Sequence, residues 1–440
     1  MGTRALFHAL ADALQGLLLD GEQFLAAYAG EDSDFVRFNH GLIRQAGHVR
    51  QRTLSVDLIH GRRHSSASVA LVGSLDEDRA LLRELIGQLR AQRALLQDDP
   101  HLLICTDPAS SVREEPDLLP PAITLVAAVQ SAAQGLDLVG ILARGAIEAG
   151  CATSFGQRSW HSVHTFNLDW SCYSAPDRAV KQSYAGTRWE TPELERLMAQ
   201  ARGDLSALAR PPKVLPPGRY RAYLAPAAVE GLVGMLNQGG FSCKSHRTRT
   251  TPLLRMASGE QAMHRDVNLV QDRLNGLTPA FTADGFRKAE STTMVRHGRL
   301  HDLLISPRSA KEFGLTPNAG DEYADSLMMP AGSLERDAVL TRLQTGLVIN
   351  NVWYCNFSDV NACRITGMTR FACFWVEDGV ITAPLPVMRF DDTLYGILGD
   401  RLLGITRQRE LMLSSSTYGG RSLASALLPG ILVDGLALTL

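Results

Sequence analysis

Hydrophobic and polar residues alternate along several stretches of the chain, and this alternation is typical of strands with one buried face. In the segment 347–357 the odd positions are mostly apolar, whereas the even positions include Asn350, Tyr354 and Asn356. Successive side chains of a strand point to opposite sides of a sheet. The segment is therefore predicted to form a half-buried strand, with Trp353 among the residues of its apolar face.

A hairpin is predicted directly after this strand. The segment 368–376 is rich in Phe and Trp, which favour strands. The dipeptide Asp378-Gly379 then suits the positive φ angles of a type I′ turn. The returning strand is predicted over 380–383, so the three segments form an antiparallel unit.

Three polar residues between the first two of these strands form a pattern of their own. Arg364, Thr366 and Arg370 all fall at even positions. In an extended chain their side chains point to one side, so they are predicted to line one polar wall. The rigid donor fork of an arginine suits a peptide carboxylate or carbonyl.

The first part of the chain predicts helices packed on an antiparallel meander. Apolar residues keep helical spacing over 3–28, and acidic then basic residues among regular leucines predict a second helix over 76–96. Between them, alternating bursts over 35–71 are separated by turn signals that include Ala46-Gly47. This pattern predicts about four strands.

A proline-rich segment marks the predicted domain boundary. Residues 210–218 contain four prolines, which cannot sustain a helix or an interior strand. A helix capped by Thr191 is predicted over 191–208 before it, and a strand over 220–224 with a helix over 227–236 after it. The sequence thus predicts an α+β protein with three parts: an N-terminal antiparallel sheet with packed helices (1–209), a linker (210–218), and a β-rich, barrel-like C-terminal domain with short helices (219–440).

Composition narrows the classes of function. The formal net charge of −2 over 440 residues argues against nucleic acid as a partner. A membrane span is not expected, because the chain has no uncharged apolar run of about 18 residues. Seven cysteines without repeated spacing favour a reducing, cytoplasmic location over a disulfide framework.

Several short motifs stand out beyond the secondary-structure pattern. They include FWVEDGVITAPL at 374–385, KQSYAG at 181–186, RFNHG at 37–41 and LPGILVDGL at 428–436. Together they resemble the motifs of the TldD/PmbA proteins, a family of metallopeptidases. The resemblance is good over roughly the last hundred residues and looser along most of the chain. One departure is ITGMTRFAC, which stands where the family has a segment rich in Ser, Arg and Gly.

The zinc motif of that family is absent from the sequence. The catalytic members carry His-Glu-x-x-x-His on a helix, whose histidines bind zinc while the Glu acts as general base. None of the twelve histidines here is followed by Glu. Only His301 precedes an acid, and Ile305 and Ser306 stand where a second histidine would have to follow. No metal and no cofactor are therefore predicted in this chain.

Other candidate chemistry is weaker. His161 and His164 are three residues apart on a predicted strand and would point to opposite faces. The pairs His60–His64 and His297–His301 flank predicted turns, without a third ligand nearby. Cys355, Cys363 and Cys373 lack a CxxC spacing and are expected to be structural thiols. The basic segment 244–255 is expected to be a solvated loop and not a nucleic-acid site. The alternative, implied by the resemblance to the TldD/PmbA family, is that it borders the active site of a partner.

The resemblance implies a specific role. In TldD/PmbA systems two related subunits pair, and only one carries the zinc motif. This chain would be the TldE-like, metal-free subunit of a heterodimeric zinc metallopeptidase that hydrolyses unfolded or short peptides in proteolysis and peptide maturation. Its partner would be a TldD-like subunit with His-Glu-x-x-x-His, which would hold the zinc. The candidate peptide-binding residues are Asn350, Tyr354, Asn356, Arg364, Thr366 and Arg370, and no catalytic residue is predicted.

Two other functions stay open from the sequence. An independent homodimer on the same scaffold would bind peptides or process a natural product without a partner. A cysteine hydrolase using Cys355 or Cys373 would need a partnered base that the sequence does not reveal. Whether the chain is itself an enzyme is therefore an open question at this point.

Overall fold

Two β-sheets and the helices packed on them make up the protein, as described by a computed structural model of residues 2–439. The predicted α+β class is confirmed, with an antiparallel sheet in the N-terminal part and a larger sheet in the C-terminal part. Among the described residues, no helix is both long enough and apolar enough to cross a bilayer. The predicted domain limits with a linker over 210–218 stay a prediction.

The N-terminal sheet has seven strands, and long neighbours pair along most of their length. These are β1 (Glu22–Asn39), β2 (Leu42–His60), β3 (Arg63–Ala70), β4 (Val112–Glu114), β5 (Asp137–Thr153), β6 (Arg158–Ala175) and β7 (Arg178–Gly186). Their order is β3-β2-β1-β5-β6-β4, with β7 paired to β6. All pairs are antiparallel except β4 with β6.

Four helices pack on one side of this sheet. They are α1 (Thr3–Leu17), α2 (Leu75–Arg93), α3 (Ala122–Ala132) and α4 (Thr191–Leu208). Phe7 and Leu10 of α1 and Leu82 of α2 are buried against Phe24 and Trp160 of the sheet. A second apolar cluster joins α3 and α4 to β5 and β6. Burial of these aromatic and aliphatic side chains is the main stabilising term for this layer.

The C-terminal sheet has eleven strands, five of which close into a ring. These eleven are β8 (Gly218–Leu224), β9 (Leu269–Asp272), β10 (Ser291–Arg296), β11 (Arg299–Leu300), β12 (Ser326–Met328), β13 (Gly346–Asp359), β14 (Arg364–Glu377), β15 (Val380–Pro384), β16 (Arg389–Thr393), β17 (Leu402–Leu413) and β18 (Ser425–Leu438). The ring runs β8-β13-β14-β16-β18 and closes because β18 also pairs with β8. The predicted barrel-like arrangement is therefore confirmed.

Short helices fill and cover the ring. They are α5 (Pro226–Leu236), α6 (Cys243–Arg247), α7 (Leu254–Ala257), α8 (Pro307–Phe313) and α9 (Val339–Leu343), with a 3₁₀ turn at Arg336–Ala338 and a π turn at Gly396–Asp400. Val229 and Leu232 of α5 lie in one buried cluster with Leu347 of β13 and Ile431 of β18. Because α5 is anchored in this core, it fixes the base of the hairpin formed by β13 and β14.

Loops of the C-terminal part dock on the face of the N-terminal sheet that the helices leave free. Leu277, Leu413 and Leu423 pack there against Ile147 and Val163. The segment 414–424, which joins β17 to β18 and is called the 414–424 loop below, reaches the sheet through Arg421. A second apolar cluster joins Val180 of β7 and Leu208 of α4 to Val348, Phe374 and Leu432 of the C-terminal sheet. The two sheets are thus held together by two apolar clusters and by buried polar contacts.

Two predictions about the N-terminal meander were wrong. The first helix ends at Leu17 instead of Tyr28, and Gly21, at φ 75°, leads the chain into β1. Positive φ is readily adopted by glycine, so this residue permits the reversal. The dipeptide Ala46-Gly47 lies inside β2, so three strands form the meander instead of four.

Candidate functional site

The hairpin of β13 and β14 continues past the point where β13 leaves β8, and residues 350–370 of this hairpin are called the arm. On its other side the arm is part of the ring, because residues 364–368 of β14 pair with β16. Strand β13 pairs with β8 only over Leu347–Ile349, and then runs on beside β14 alone. Within residues 2–439, no other strand pairs with the outer edge of β13 past Ile349. Unpaired backbone donors and acceptors on such an edge can form main-chain hydrogen bonds with an added strand.

Two aromatic residues with left-handed backbones lie in the arm or directly next to it. Tyr354 has φ 52° and Phe371 has φ 59°, and the strand register shifts beside each of them. A bulky residue in this conformation is held there at a cost of about 1–2 kcal/mol, which the surrounding structure must offset. Residues kept in such strained conformations cluster at functional sites.

The bulge at Tyr354 corrects the predicted faces of β13. One extra residue in a strand reverses the parity of the positions beyond it. Trp353 is opposite Met368 and is 47% exposed, whereas Cys355 and Phe357 pack against the buried core. The prediction that Trp353 shares their apolar face was therefore wrong. Nothing in the residue pattern marks Tyr354 as the bulged position.

An aromatic patch lies at one end of the arm. The rings of Trp353 and Tyr354 are stacked, with centroids 4.4 Å apart and planes at 16°. The guanidinium carbon of Arg370 lies 4.6 Å from the centroid of the Trp353 ring. A cation at this distance from an exposed indole contributes about 0.5–1 kcal/mol. The predicted residues Tyr354 and Arg370 are thus brought together, and they are joined by Trp353.

A polar patch lies at the other end of the arm. Asn356 and Thr366 are directly paired across the two strands. Thr366 Oγ1 donates to the Phe390 carbonyl at 3.0 Å, and the Arg364 guanidinium forms an ion pair with Asp391. The Arg364 side chain remains 43% exposed. Its charge is therefore partly compensated but still accessible.

Asn350 lies apart from the other predicted site residues. Its side-chain Nδ2 donates to the Ala372 carbonyl at 2.7 Å and is half-buried. It therefore supports the irregular backbone next to Phe371. The other five of the six predicted residues lie on the face of the arm that carries the Trp353 side chain.

A polar pocket of about 560 Å³ opens beside Arg364. Arg401 donates from both terminal nitrogens to the buried Asp392 carboxylate, at 2.7 Å each, and this geometry fixes the wall of the pocket. Arg219 lies at the same wall, 3.5 Å from Asp392, and is half-exposed. The pocket offers arginine donors for carboxylate or carbonyl groups at one end of the arm.

The thiols and histidines near these elements fit structural roles. Burial raises the pKa of Cys355 and Cys373 to about 11, so both thiols remain protonated at neutral pH. Because the thiolate is the nucleophile, this environment does not favour a cysteine hydrolase. His161 is buried and hydrogen-bonded through Nε2 to the Leu277 carbonyl at 2.8 Å, and burial lowers its pKa to about 4.

The residues present do not fit a zinc site of the family type. His161 contacts a loop of the C-terminal part, whereas His164 lines a pocket with Arg144 on the helix side of the sheet. Across residues 2–439, no three His, Cys, Asp or Glu side chains are grouped closely enough to hold a metal ion.

Comparison with known proteins places the C-terminal part of the chain in a metallopeptidase family. Residues 217–439 match the sequence model of the PmbA/TldA metallopeptidase C-terminal domain. The chain therefore belongs to the PmbA/TldD family, and the resemblance seen in its motifs is confirmed. No match to a curated protein was found.

Solved structures share the fold along nearly the whole chain. TldE from Thermococcus kodakarensis superposes with a TM-score of 0.78 at 15% identity, covering 99% of this chain and 100% of that one. A Thermotoga maritima protein, provisionally described as a modulator of a DNA gyrase, gives 0.74 at 14% identity, with coverages of 98% and 100%. A Bacteroides thetaiotaomicron protein described in the same way gives 0.75 at 14% identity, with coverages of 99% and 98%.

Proposed function

We propose that this chain is the metal-free, TldE-like subunit of a heterodimeric zinc metallopeptidase and that it binds the peptide to be cut. The observation that supports this most directly is the arm. It combines an unpaired strand edge with the stacked Trp353–Tyr354 pair and the guanidinium of Arg370. A strand edge next to aromatic and cationic side chains suits an extended polypeptide.

The arm would bind peptide mainly through its backbone. An extended peptide added to the edge of β13 exchanges main-chain hydrogen bonds, which depend little on sequence. Trp353 and Tyr354 would contact apolar side chains of the peptide, because both rings are exposed. Arg364 would meet a carboxylate or carbonyl at the far end, through its exposed guanidinium.

The cutting chemistry would belong to the partner. The family places a zinc-bound water and a general base in the His-Glu-x-x-x-His subunit, and this sequence has no histidine followed by Glu. In the proposed complex, this chain holds the substrate extended and excludes bulk water from one side of it. A peptide held in this way has fewer conformations to lose on the path to reaction.

Co-expression with a PmbA/TldD-family protein that carries the zinc motif tests the proposal. We expect the two chains to copurify in equal amounts, zinc to be present at one per pair, and peptidase activity to require both chains. Casein unfolded by heat and a short synthetic peptide serve as substrates. Activity or tightly bound zinc in this chain alone would refute the proposal. A stable homodimer that ignores the partner would favour the independent peptide-binding alternative.

A further inference from the structure

We propose that the outer edge of β2 over residues 42–52, called the β2 edge below, docks an acidic β-strand of an unlike partner chain. The inference rests on the proposed function, since it supplies a contact for the second subunit. It concerns a different part of the molecule from the arm. The arm lies in the C-terminal sheet, whereas the β2 edge lies in the N-terminal sheet.

The β2 edge is unusually long and open. Strand β3 covers β2 only over Thr53–His60. Each of the ten residues Leu42–Gln51 is exposed, although all belong to β2, whose register with β1 is irregular only at Arg44. Leu42 and Ile43 are 66% and 47% exposed, so apolar surface accompanies the unpaired backbone. Proteins normally shorten, cover or break such edges because they template pairing with another chain.

The hydrogen-bonding groups of this edge point outwards at known positions. The Arg52 carbonyl accepts from Leu71 N at 2.9 Å, on the side away from β1. In an antiparallel strand, both backbone groups of every second residue point to the same side. The β1–β2 register is regular from here to Gln45, so Arg50, His48 and Ala46 also present their N–H and C=O groups outwards.

The charge on the edge is uniformly basic. Arg44, Arg50, Arg52 and His48 lie between positions 42 and 52, and the same stretch contains no acidic residue. Arg50 is paired with Asp32 of β1 at 2.7 Å, and His48 contacts Asp34 at 2.9 Å. Arg44 forms no ion pair with any residue in the described part of the chain. Its charge is available to a docked strand.

The basic charge of the β2 edge favours a different chain over a second copy of this chain as the partner. If two copies of the β2 edge paired antiparallel, three arginines from each copy would share one eleven-residue ladder. Like charges opposite each other in a sheet are destabilising. A strand with acidic residues would instead pair with Arg44 and neighbouring positions. The edge is therefore built for an unlike chain and against self-association.

The length of the edge favours a strand of a folded subunit over a short peptide. Eleven extended residues span about 36 Å at roughly 3.3 Å per residue. A peptide of fewer than eleven residues would leave part of this edge unpaired, and ordering any flexible peptide costs conformational entropy that a preformed strand has already lost. A rigid acidic edge strand in the partner subunit meets both requirements.

A synthetic probe tests the inference on the full-length protein. The probe is a fluorescein-labelled, thirteen-residue peptide of alternating Glu and Val, and a Lys-Val peptide of equal length is the charge control. We expect the Glu-Val probe to bind by fluorescence anisotropy and to weaken as NaCl is raised, because the arginines on the edge are exposed. The Lys-Val peptide should not bind.

Two variants separate strand addition from simple charge attraction. Ala46→Pro removes an outward N–H without breaking a β1–β2 hydrogen bond, and proline is tolerated at edge positions. We expect it to weaken the Glu-Val probe about tenfold, whereas the matched Ala46→Ser binds like the parent. Arg44→Glu should weaken the Glu-Val probe roughly fivefold and create binding of the Lys-Val peptide. Unchanged melting temperatures will show that both variants fold.

The outcomes distinguish this inference from the proposed function. If the Glu-Val probe does not bind, or binds equally well to Ala46→Pro and the parent, the inference is overturned. A zinc-containing complex that assembles unchanged with Ala46→Pro and Arg44→Glu would overturn it too, yet leave the proposed function standing. If no complex forms although the probe binds as expected, the proposed function fails and the basic docking edge remains.

Discussion

A terminal nitrogen of the Arg421 guanidinium donates to Thr165 Oγ1 at 2.6 Å, joining the 414–424 loop to the middle of the N-terminal sheet. The other terminal nitrogen donates to Ser33 Oγ at 3.0 Å, and the backbone N–H of Arg421 donates to the buried Glu31. Burial lowers the pKa of Arg421 to about 10, so the side chain stays charged at neutral pH. A single residue of the C-terminal part thus satisfies three polar groups of the N-terminal sheet, two through its side chain and one through its backbone.

Arg421→Ala is expected to destabilise the protein by about 2–4 kcal/mol, because it leaves the Ser33 and Thr165 hydroxyl oxygens without their donor and removes the guanidinium charge that lies near Glu31. Urea unfolding followed by circular dichroism measures the change. Arg407→Ala is the control, since Arg407 forms an exposed ion pair with Glu335 and should cost at most about 1 kcal/mol. Equal losses in the two variants would contradict the buried role of Arg421.

Gly145→Ala is expected to destabilise the protein by about 3 kcal/mol, because the added methyl group clashes with its neighbours and the backbone conformation is unfavourable for alanine. Gly145 has φ 145°, and a Cβ atom there would meet the backbone carbonyl oxygen of Asp32 well inside contact distance. The control is Gly87→Ala in the middle of α2, where an added Cβ atom has no other atom within 4 Å. This substitution should stabilise the protein by about 1 kcal/mol, because alanine favours a helix over glycine. Thermal unfolding of both variants gives the comparison, and a neutral Gly145→Ala would show that β5 can shift.

Glu22→Gln is expected to cost about 2–3 kcal/mol at pH 7. Hydrogen bonds from Arg90, together with Leu19 N–H and Arg93, lower the pKa of Glu22 from 4.5 to about 2. A depressed carboxyl pKa contributes stability above pH 4.5 that is lost as the pH falls towards 2. The parent should therefore lose its advantage over the variant across that window.

The measurement for Glu22 is urea unfolding at several pH values between 2 and 7. Glu335→Gln, which removes an exposed carboxylate, is the control and should change stability by less than about 1 kcal/mol throughout. If the difference between Glu22→Gln and the parent does not shrink in acid, the ionised state of Glu22 is not what stabilises the junction of α2 and β1.

Trp353→Ala is expected to weaken binding of an unfolded peptide to the isolated protein about tenfold, because exposed aromatic anchors carry a large share of binding energy. The side chain is half-exposed, so the melting temperature should change little. Labelled reduced casein peptides, followed by fluorescence anisotropy, provide the measurement. Tyr418→Ala is the control, since Tyr418 is 99% exposed and lies in the 414–424 loop, away from the arm. Similar losses in both variants would mean that the arm is not the binding surface.

Much of the secondary structure follows from local signals in the sequence. The helix predicted over 191–208 has those limits in the structure, because Pro192 favours its first turn and apolar residues repeat at helical spacing. The turn at Asp378-Gly379 also lies where it was predicted, with both residues at positive φ. In these cases one short segment contains all the information that determines the backbone.

The arm could be predicted only in part, because its geometry depends on tertiary packing. The sequence indicated a strand and a polar wall, but it placed Trp353 with the apolar residues. The left-handed backbone of Tyr354 is imposed by pairing with β14 and by the packing of Val352 on α5, and a tyrosine has no intrinsic preference for it. Likewise, no local pattern relates Arg421 to Thr165, which lies 256 positions earlier in the chain.

The ring of the C-terminal sheet has a consequence for synthesis of the protein. Its first strand starts at Gly218 and pairs there with Leu438 of its last strand. During synthesis on the ribosome, β8 therefore lacks its second neighbour, β18, until almost all of the later residues have been added. A nascent chain in this interval displays an unsatisfied strand, which is a substrate for chaperones and a risk for aggregation. Removal of the final dozen residues would leave that vulnerable intermediate as the end product.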